Sequence, residues 1–189
     1  MTKIGIILGS TRPGRVGAQV GQWVHEIAAK RTDAEFELVD LLDYELPHMD
    51  EPVPPSMDQY SQAHTFVWAA KIASFDGFII VTPEYNHLPS GALIDAFDFL
   101  NKEWNNKAVG FVSYGVYGGA RGVEHLRSLV GELQLADVKS QLVLYLATDF
   151  ENYRTFKPAP RHEQELTAVL EQTVAWSNAL ASLRHPVAA

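Results

Sequence analysis

Glycine, hydroxyl and arginine residues crowd one stretch near the start of the chain: Gly9-Ser10-Thr11-Arg12-Pro13-Gly14-Arg15-Val16-Gly17. It follows a short apolar run and precedes a helical stripe. Its amides therefore fall at a helix start, where they point outward unpaired and the helix dipole favours an anion. Small residues let a phosphate come close, and Arg12 or Arg15 can add charge-assisted bonds. Arg15-Val16 stands where a triphosphate loop needs Lys and then Ser or Thr, and Thr11 takes the second glycine position of Gly-x-Gly-x-x-Gly. A terminal monophosphate fits better than a pyrophosphate or a magnesium-bound triphosphate.

The second stretch is Thr82-Pro83-Glu84-Tyr85-Asn86-His87-Leu88-Pro89-Ser90-Gly91. A flat conjugated ring needs an aromatic or main-chain wall and amides along its edge. Tyr85, Asn86 and the backbone around Glu84 offer these, although Pro, Asn and Gly also punctuate ordinary turns. The third stretch, Ser113-Tyr114-Gly115-Val116-Tyr117-Gly118-Gly119-Ala120-Arg121, places three glycines behind an apolar run, which suggests close approach of a ligand to the main chain. Phe111 occupies the position where a hydrolase nucleophile elbow requires glycine. The seven histidines show no metal spacing, and without cysteine there is no disulfide, thiolate nucleophile or iron–sulfur cluster. No metal site is expected.

These stretches must be held by a scaffold, and the pattern supplies one. Short apolar runs near residues 3–8, 35–40, 76–82, 107–114 and 138–147 read as strands buried on both faces. Helical stripes separate them: Val16, Val20, Trp23/Val24 and Ile27; then segments near 58–74 and 91–101. Val123, Leu126, Leu129/Val130 and Leu133 form the next, and Leu166, Val169/Leu170, Val174 and Leu183 the last. The tract from Leu46 to Ser56 holds four prolines and can be neither regular helix nor central strand.

Such alternation implies an α/β domain, a parallel sheet with helices on both faces and right-handed crossovers, with ligands beyond the carboxyl ends of the strands. The three unusual loops follow strands one, three and four. A length of 189 residues favours a single domain over 1–189. A net charge of -8 counts against nucleic-acid binding, and no run is long and apolar enough to span a membrane or to act as a secretory leader. A cytoplasmic location is expected.

Taken together, Gly9-Ser10-Thr11-Arg12, Pro83-Glu84-Tyr85-Asn86-His87, and Tyr114-Gly115 with Gly118-Gly119 and Arg121 resemble the NADPH-dependent FMN reductase family, which includes quinone, azo-dye and chromate reductases. Glu103-Trp104-Asn105-Asn106-Lys107 and Leu46-Pro47-His48-Met49-Asp50-Glu51 resemble one branch of it. The resemblance covers most of residues 3–147. Ser90 takes a position that is Pro in many members, with Pro89 one place early and Ile94-Asp95 for Lys-Asn. Arg15 and Gly17 replace a Ser and an Asn.

The resemblance implies a flavodoxin-like three-layer sandwich with strand order 2-1-3-4-5 and noncovalent FMN. The phosphate would lie on Gly9, Ser10, Thr11, Arg12, Arg15, Val16 and Gly17. The ring would lie between Pro83, Glu84, Tyr85, Asn86 and His87 and the loop of Ser113, Tyr114, Gly115, Gly118 and Gly119. It further implies NADPH or NADH as hydride donor, a small-molecule acceptor (free flavin, quinone, azo compound or metal oxyanion), ping-pong turnover without a catalytic side chain, and a homodimer or homotetramer. Tyr85, Leu88, Phe97 and Trp104 are then candidates for the subunit boundary. An electron carrier of the flavodoxin kind is the alternative.

Overall fold

Strands β1 (Thr2–Leu8), β2 (Ala34–Asp40), β3 (Gly77–Pro83), β4 (Lys107–Gly115) and β5 (Leu135–Tyr145) pair in parallel in the order β2-β1-β3-β4-β5. This comes from a computed structural model described over residues 1–184; residues 185–189 of the expected single domain lie outside them. The strand order reverses between β1 and β3, the crevice where open α/β sheets bind ligands. Side chains alternate across the sheet. Phe78 and Ile80 of β3 enter one core, and Ile79 and Val81 the other.

Helices α1 (Gly17–Ala28) and α5 (Pro160–Ala179) cover one face. The other face carries α2 (Ala63–Ala73), α3 (Gly91–Asp98) and α4 (Ala120–Glu132). The core beneath α2, α3 and α4 is strongly aromatic. Trp104 lies 5.0 Å from Phe78 and 4.8 Å from Phe97 between ring centroids, and Trp68 Nε1 donates to the Ala96 carbonyl at 2.8 Å. Phe97 and Trp104 are thus interior residues, against the expectation that they flank a subunit boundary. Burying rings of this size contributes roughly 2–3 kcal/mol each, more than a surface contact could return.

Several boundaries differ from the sequence expectation. The helix expected from residue 58 begins at Ala63, because Glu51 reaches back from the proline-rich tract. Glu51 accepts from the Ser61 amide at 2.8 Å and the Gln62 amide at 3.0 Å, and so serves groups that a helix start leaves open. The helix expected to reach residue 101 stops at Asp98, and β5 covers 135–145 rather than 138–147. Beyond β5 a small antiparallel hairpin appears, β6 (Phe150–Glu151) with β7 (Thr155–Phe156), which periodicity could not reveal in strands of two residues.

Candidate flavin site

The sheet order brings the loops after β1, β3 and β4 side by side. Gly9 N–H donates to the Val81 carbonyl at 2.8 Å, so the first loop leaves β1 still attached to β3. Ser90 secures it further. Its hydroxyl donates to the Gly9 carbonyl and accepts from the Leu93 amide at 3.2 Å, capping α3 while tying two loops together. Here Ser at the position that is often Pro gains a tether.

Within the first loop, Ser10 is buried, and its Oγ lies 2.9 Å from the Tyr85 hydroxyl. Arg15 N–H closes a turn onto the Arg12 carbonyl at 3.1 Å, passing Gly14 at φ +70°. The two arginines then part ways. The Arg15 guanidinium donates to the Ser10 carbonyl at 2.6 Å and to the Asp40 carboxylate, so it braces the loop rather than offering its charge. Arg12 has no carboxylate partner among the described residues, and its guanidinium carbon sits 5.9 Å from the Tyr85 ring centroid. The first turn of α1 has no side-chain cap and no acidic residue. Open amides and an unpaired guanidinium are what a small dianion requires.

The second loop turns at Asn86 and His87, which hold φ +54° and +74° between reciprocal main-chain bonds of Tyr85 and Leu88 at 2.8 and 3.0 Å. Two successive left-handed residues without glycine cost energy, and such backbone collects at binding sites. Glu84 fixes the turn from below. Its side chain is 5% exposed and accepts from Arg121 Nε at 2.7 Å and from the amides of Arg121 and Gly122 at 3.1 and 3.3 Å. Burial pushes this carboxyl up, yet the Arg121 guanidinium and the two amides hold it below the usual range. Arg121 also bonds His87 Nε2 at 2.9 Å, which makes that nitrogen an acceptor.

The third loop explains its own glycines. Ser113 Oγ donates to the Gly118 carbonyl at 2.7 Å and accepts from Gln141 Nε2 at 3.1 Å. Gly118 and Gly119 hold φ +73° and +78°; a Cβ on Gly118 would come within 2.0 Å of Val143, and one on Gly119 within 2.8 Å of Ser113. These two glycines are therefore required by the chain's own packing. Gly17 shows a different constraint. A Cβ there would lie 2.3 Å from the Tyr114 hydroxyl, which is buried without a hydrogen-bond partner. Burial, with Tyr85 next to it, pushes the Tyr114 phenol above its ordinary range, so it stays protonated and able to donate.

These parts meet in a cleft. One cavity of about 230 Å³ is lined by Arg12, Val16, Pro83, Tyr85, Tyr114 and Tyr153, and a second of about 680 Å³ runs from the first loop to Asn152, Tyr153 and Arg154. Sequence reasoning gave no site role to Asp40, Gln19, Asn152 or Tyr153, and read Ser90 only as a departure from the family pattern, because each acts through contacts distant in the chain. An opening of about 440 Å³ at the opposite end of the sheet, beside Asp76, Glu103, Lys107 and Arg184, is less suited to a ligand. Its charges are used internally: Lys107 donates to the Ile72 carbonyl at 2.8 Å, Arg184 to Asp76 at 3.0 Å, and Tyr60 to Glu103 at 2.7 Å.

The family model for NADPH-dependent FMN reductase matches residues 2–149. The chain belongs to this family. It is accordingly a flavin-dependent oxidoreductase whose cofactor is FMN and whose electron donor is NAD(P)H. It is 40% identical over 158 residues to the NAD(P)H-dependent FMN reductase ntnL of Nectria sp, covering 79% of each chain. It is 27% identical over 154 residues to a 2-hydroxy-1,4-benzoquinone reductase of Burkholderia sp, covering 78% of this chain and 79% of the other. Among solved structures, FerB, a flavoenzyme NAD(P)H:(acceptor) oxidoreductase from Paracoccus denitrificans, superposes with a TM-score of 0.74 at 17% identity, over 95% of this chain and 98% of that one. That likeness supports the flavodoxin-like fold.

Proposed function

We propose that FMN lies in this cleft with its phosphate on the Gly9–Gly17 turn and its ring against Pro83, Tyr85 and Asn86, and that the chain reduces a small flat acceptor of the quinone type. One observation carries the placement: Arg12, which has no carboxylate partner among the described residues, Val16 at the uncapped start of α1, Tyr85 and Tyr114 all line the same cavity. The residues fit the cofactor. Ser10, Thr11, Arg12, Val16 and Gly17 offer the phosphate cradle, with Arg15 and Asp40 bracing it. Tyr114 and Gly115 form the far wall. Glu84, Ser113, Gly118 and Gly119 act through the backbone they position, and His87 through Arg121.

Bound there, FMN would supply the two-electron redox chemistry between NAD(P)H and the acceptor, for which none of the lining side chains is needed. The protein's own task is placement and polarity. Glu84 is tied to Arg121 and two main-chain amides, so it holds the turn in place. Donor and acceptor would use the same open face in turn, giving ping-pong kinetics.

Leu88, Val116 and Tyr117 stand 49%, 67% and 63% exposed beside the cleft, an apolar rim suited to a second copy of the chain. A homodimer or homotetramer in the cytoplasm goes with this reading. The test is anaerobic addition of NADPH to the purified flavoprotein, followed by benzoquinone. Bleaching of the flavin bands and their return with quinone is expected, with parallel double-reciprocal plots. A flavin that NADPH and NADH both leave oxidised would refute the reading.

A further inference from the structure

The family match ends at residue 149, yet the hairpin that follows reaches back over the first loop. Its tip turns through Asn152 and Tyr153 at φ +50° and +59°, closed by Arg154 N–H on the Glu151 carbonyl at 3.0 Å. This conformation suits the twist of a two-residue hairpin turn but is costly for tyrosine. Gln19 of α1 pins the β7 side of the hairpin at two points: Nε2 donates to the Arg154 carbonyl at 2.9 Å, and Oε1 accepts from the Phe156 amide at 2.9 Å. The base is anchored by Phe150 and Phe156, 5.1 Å apart, with Trp23 of α1 5.4 Å from Phe156. A short surface hairpin with this much tethering is a positioned element.

What it positions is chemically specific. The cavity of about 680 Å³ has Arg12, Pro13 and Gly14 on one wall and Asn152, Tyr153 and Arg154 on the other. Arg154 has no carboxylate partner among the described residues, so two unpaired guanidiniums border one cavity at the open end of α1. Tyr153 borders both this cavity and the smaller one beside Tyr85 and Tyr114.

We propose that the β6–β7 hairpin is a clasp on the phosphate end of the cofactor, with Arg154 as a second guanidinium for the phosphate and Tyr153 as a side wall of the cleft. The clasp makes the protein discriminate FMN from riboflavin and governs how firmly the cofactor is retained. The inference rests on the placement of the phosphate at the Gly9–Gly17 turn.

The test is titration of the full chain, freed of flavin, with FMN and with riboflavin, read by flavin fluorescence, for wild type, Arg154→Gln, Tyr153→Ala, Tyr153→Phe and Arg12→Ala. Loss of a charged hydrogen bond predicts that Arg154→Gln weakens FMN roughly tenfold or more and leaves riboflavin unchanged. Tyr153→Ala should weaken both flavins, and Tyr153→Phe should restore them. If Arg12→Ala weakens FMN while Arg154→Gln does not, the clasp is wrong and the phosphate site stands. If neither arginine matters, the phosphate site itself is wrong. An Arg154→Gln protein that loses affinity only for NADP⁺ would assign the hairpin to the nicotinamide donor and overturn the proposal.

Discussion

Tyr114→Phe should have opposite effects on the free protein and on its complex. In the free chain the Tyr114 hydroxyl is buried, 5% exposed as a residue, and unpartnered. A buried polar group without a partner costs about 1–3 kcal/mol. Removing the oxygen and keeping the ring should therefore stabilise the flavin-free protein by about 1 kcal/mol, after allowance for the small void left behind. For a chain of 189 residues this raises Tm by about 2–4 °C. In the complex the same hydroxyl would donate to the cofactor, so its loss should weaken FMN by about 1–2 kcal/mol, roughly 5- to 30-fold. The assay is a thermal melt of the flavin-free protein beside an FMN titration of the same preparation. Gly17→Ala, whose Cβ would meet the hydroxyl at 2.3 Å, should be less harmful in the Tyr114→Phe background than alone. A flavin-free Tyr114→Phe protein that melts at or below wild type would show that the hydroxyl already has a partner, and the reasoning would fail.

Other consequences follow from the same contacts. Glu84→Gln should lower stability at pH 7 by about 1–3 kcal/mol in denaturant unfolding, less than for a fully buried pair because Arg121 is 39% exposed. The folded Glu84 carboxyl is held below its ordinary 4.5, so its contribution is present above that pH and is lost as pH falls through the lower folded value. The gap between wild type and Glu84→Gln should then shrink below pH 4.5. Ser90→Ala removes both the cap of α3 and the bond to the Gly9 carbonyl, and should cost about 1–2 kcal/mol with weaker FMN binding; equal FMN affinity would detach Ser90 from the site. Arg15→Lys should weaken FMN less than Arg12→Ala does, because Arg15 is spent on Asp40 and the Ser10 carbonyl; the reverse order in a titration would reverse the assigned roles.

The sequence disclosed what is periodic or local. Runs such as Phe78-Ile79-Ile80-Val81 are apolar at every position because β3 is covered on both faces, so strand and class could be read directly. The Gly9–Gly17 and Pro83–His87 loops were legible because turn chemistry and open amides are properties of neighbours in the chain. Contacts between distant residues were not. Arg12 and Arg15 look alike in sequence, and only the arrival of Asp40 from β2 separates the free guanidinium from the bracing one. At Gly118 and Gly119 the crowding by Val143 and Ser113 arises only where the fold brings these residues together. Trp104 and Phe97 sit near a loop in sequence but fold into the aromatic core between Phe78 and Trp68. The β6–β7 hairpin left no stripe at all, since two-residue strands carry no period.

The most direct test of the central claim is a crystal structure of the protein with FMN bound. The phosphate should lie within hydrogen-bond reach of the Arg12 guanidinium and the first amides of α1, with the ring against Tyr85 and Asn86. A phosphate found elsewhere, for instance at the Lys107 and Arg184 opening across the sheet, with the Gly9–Gly17 turn making no contact to it, would contradict the account.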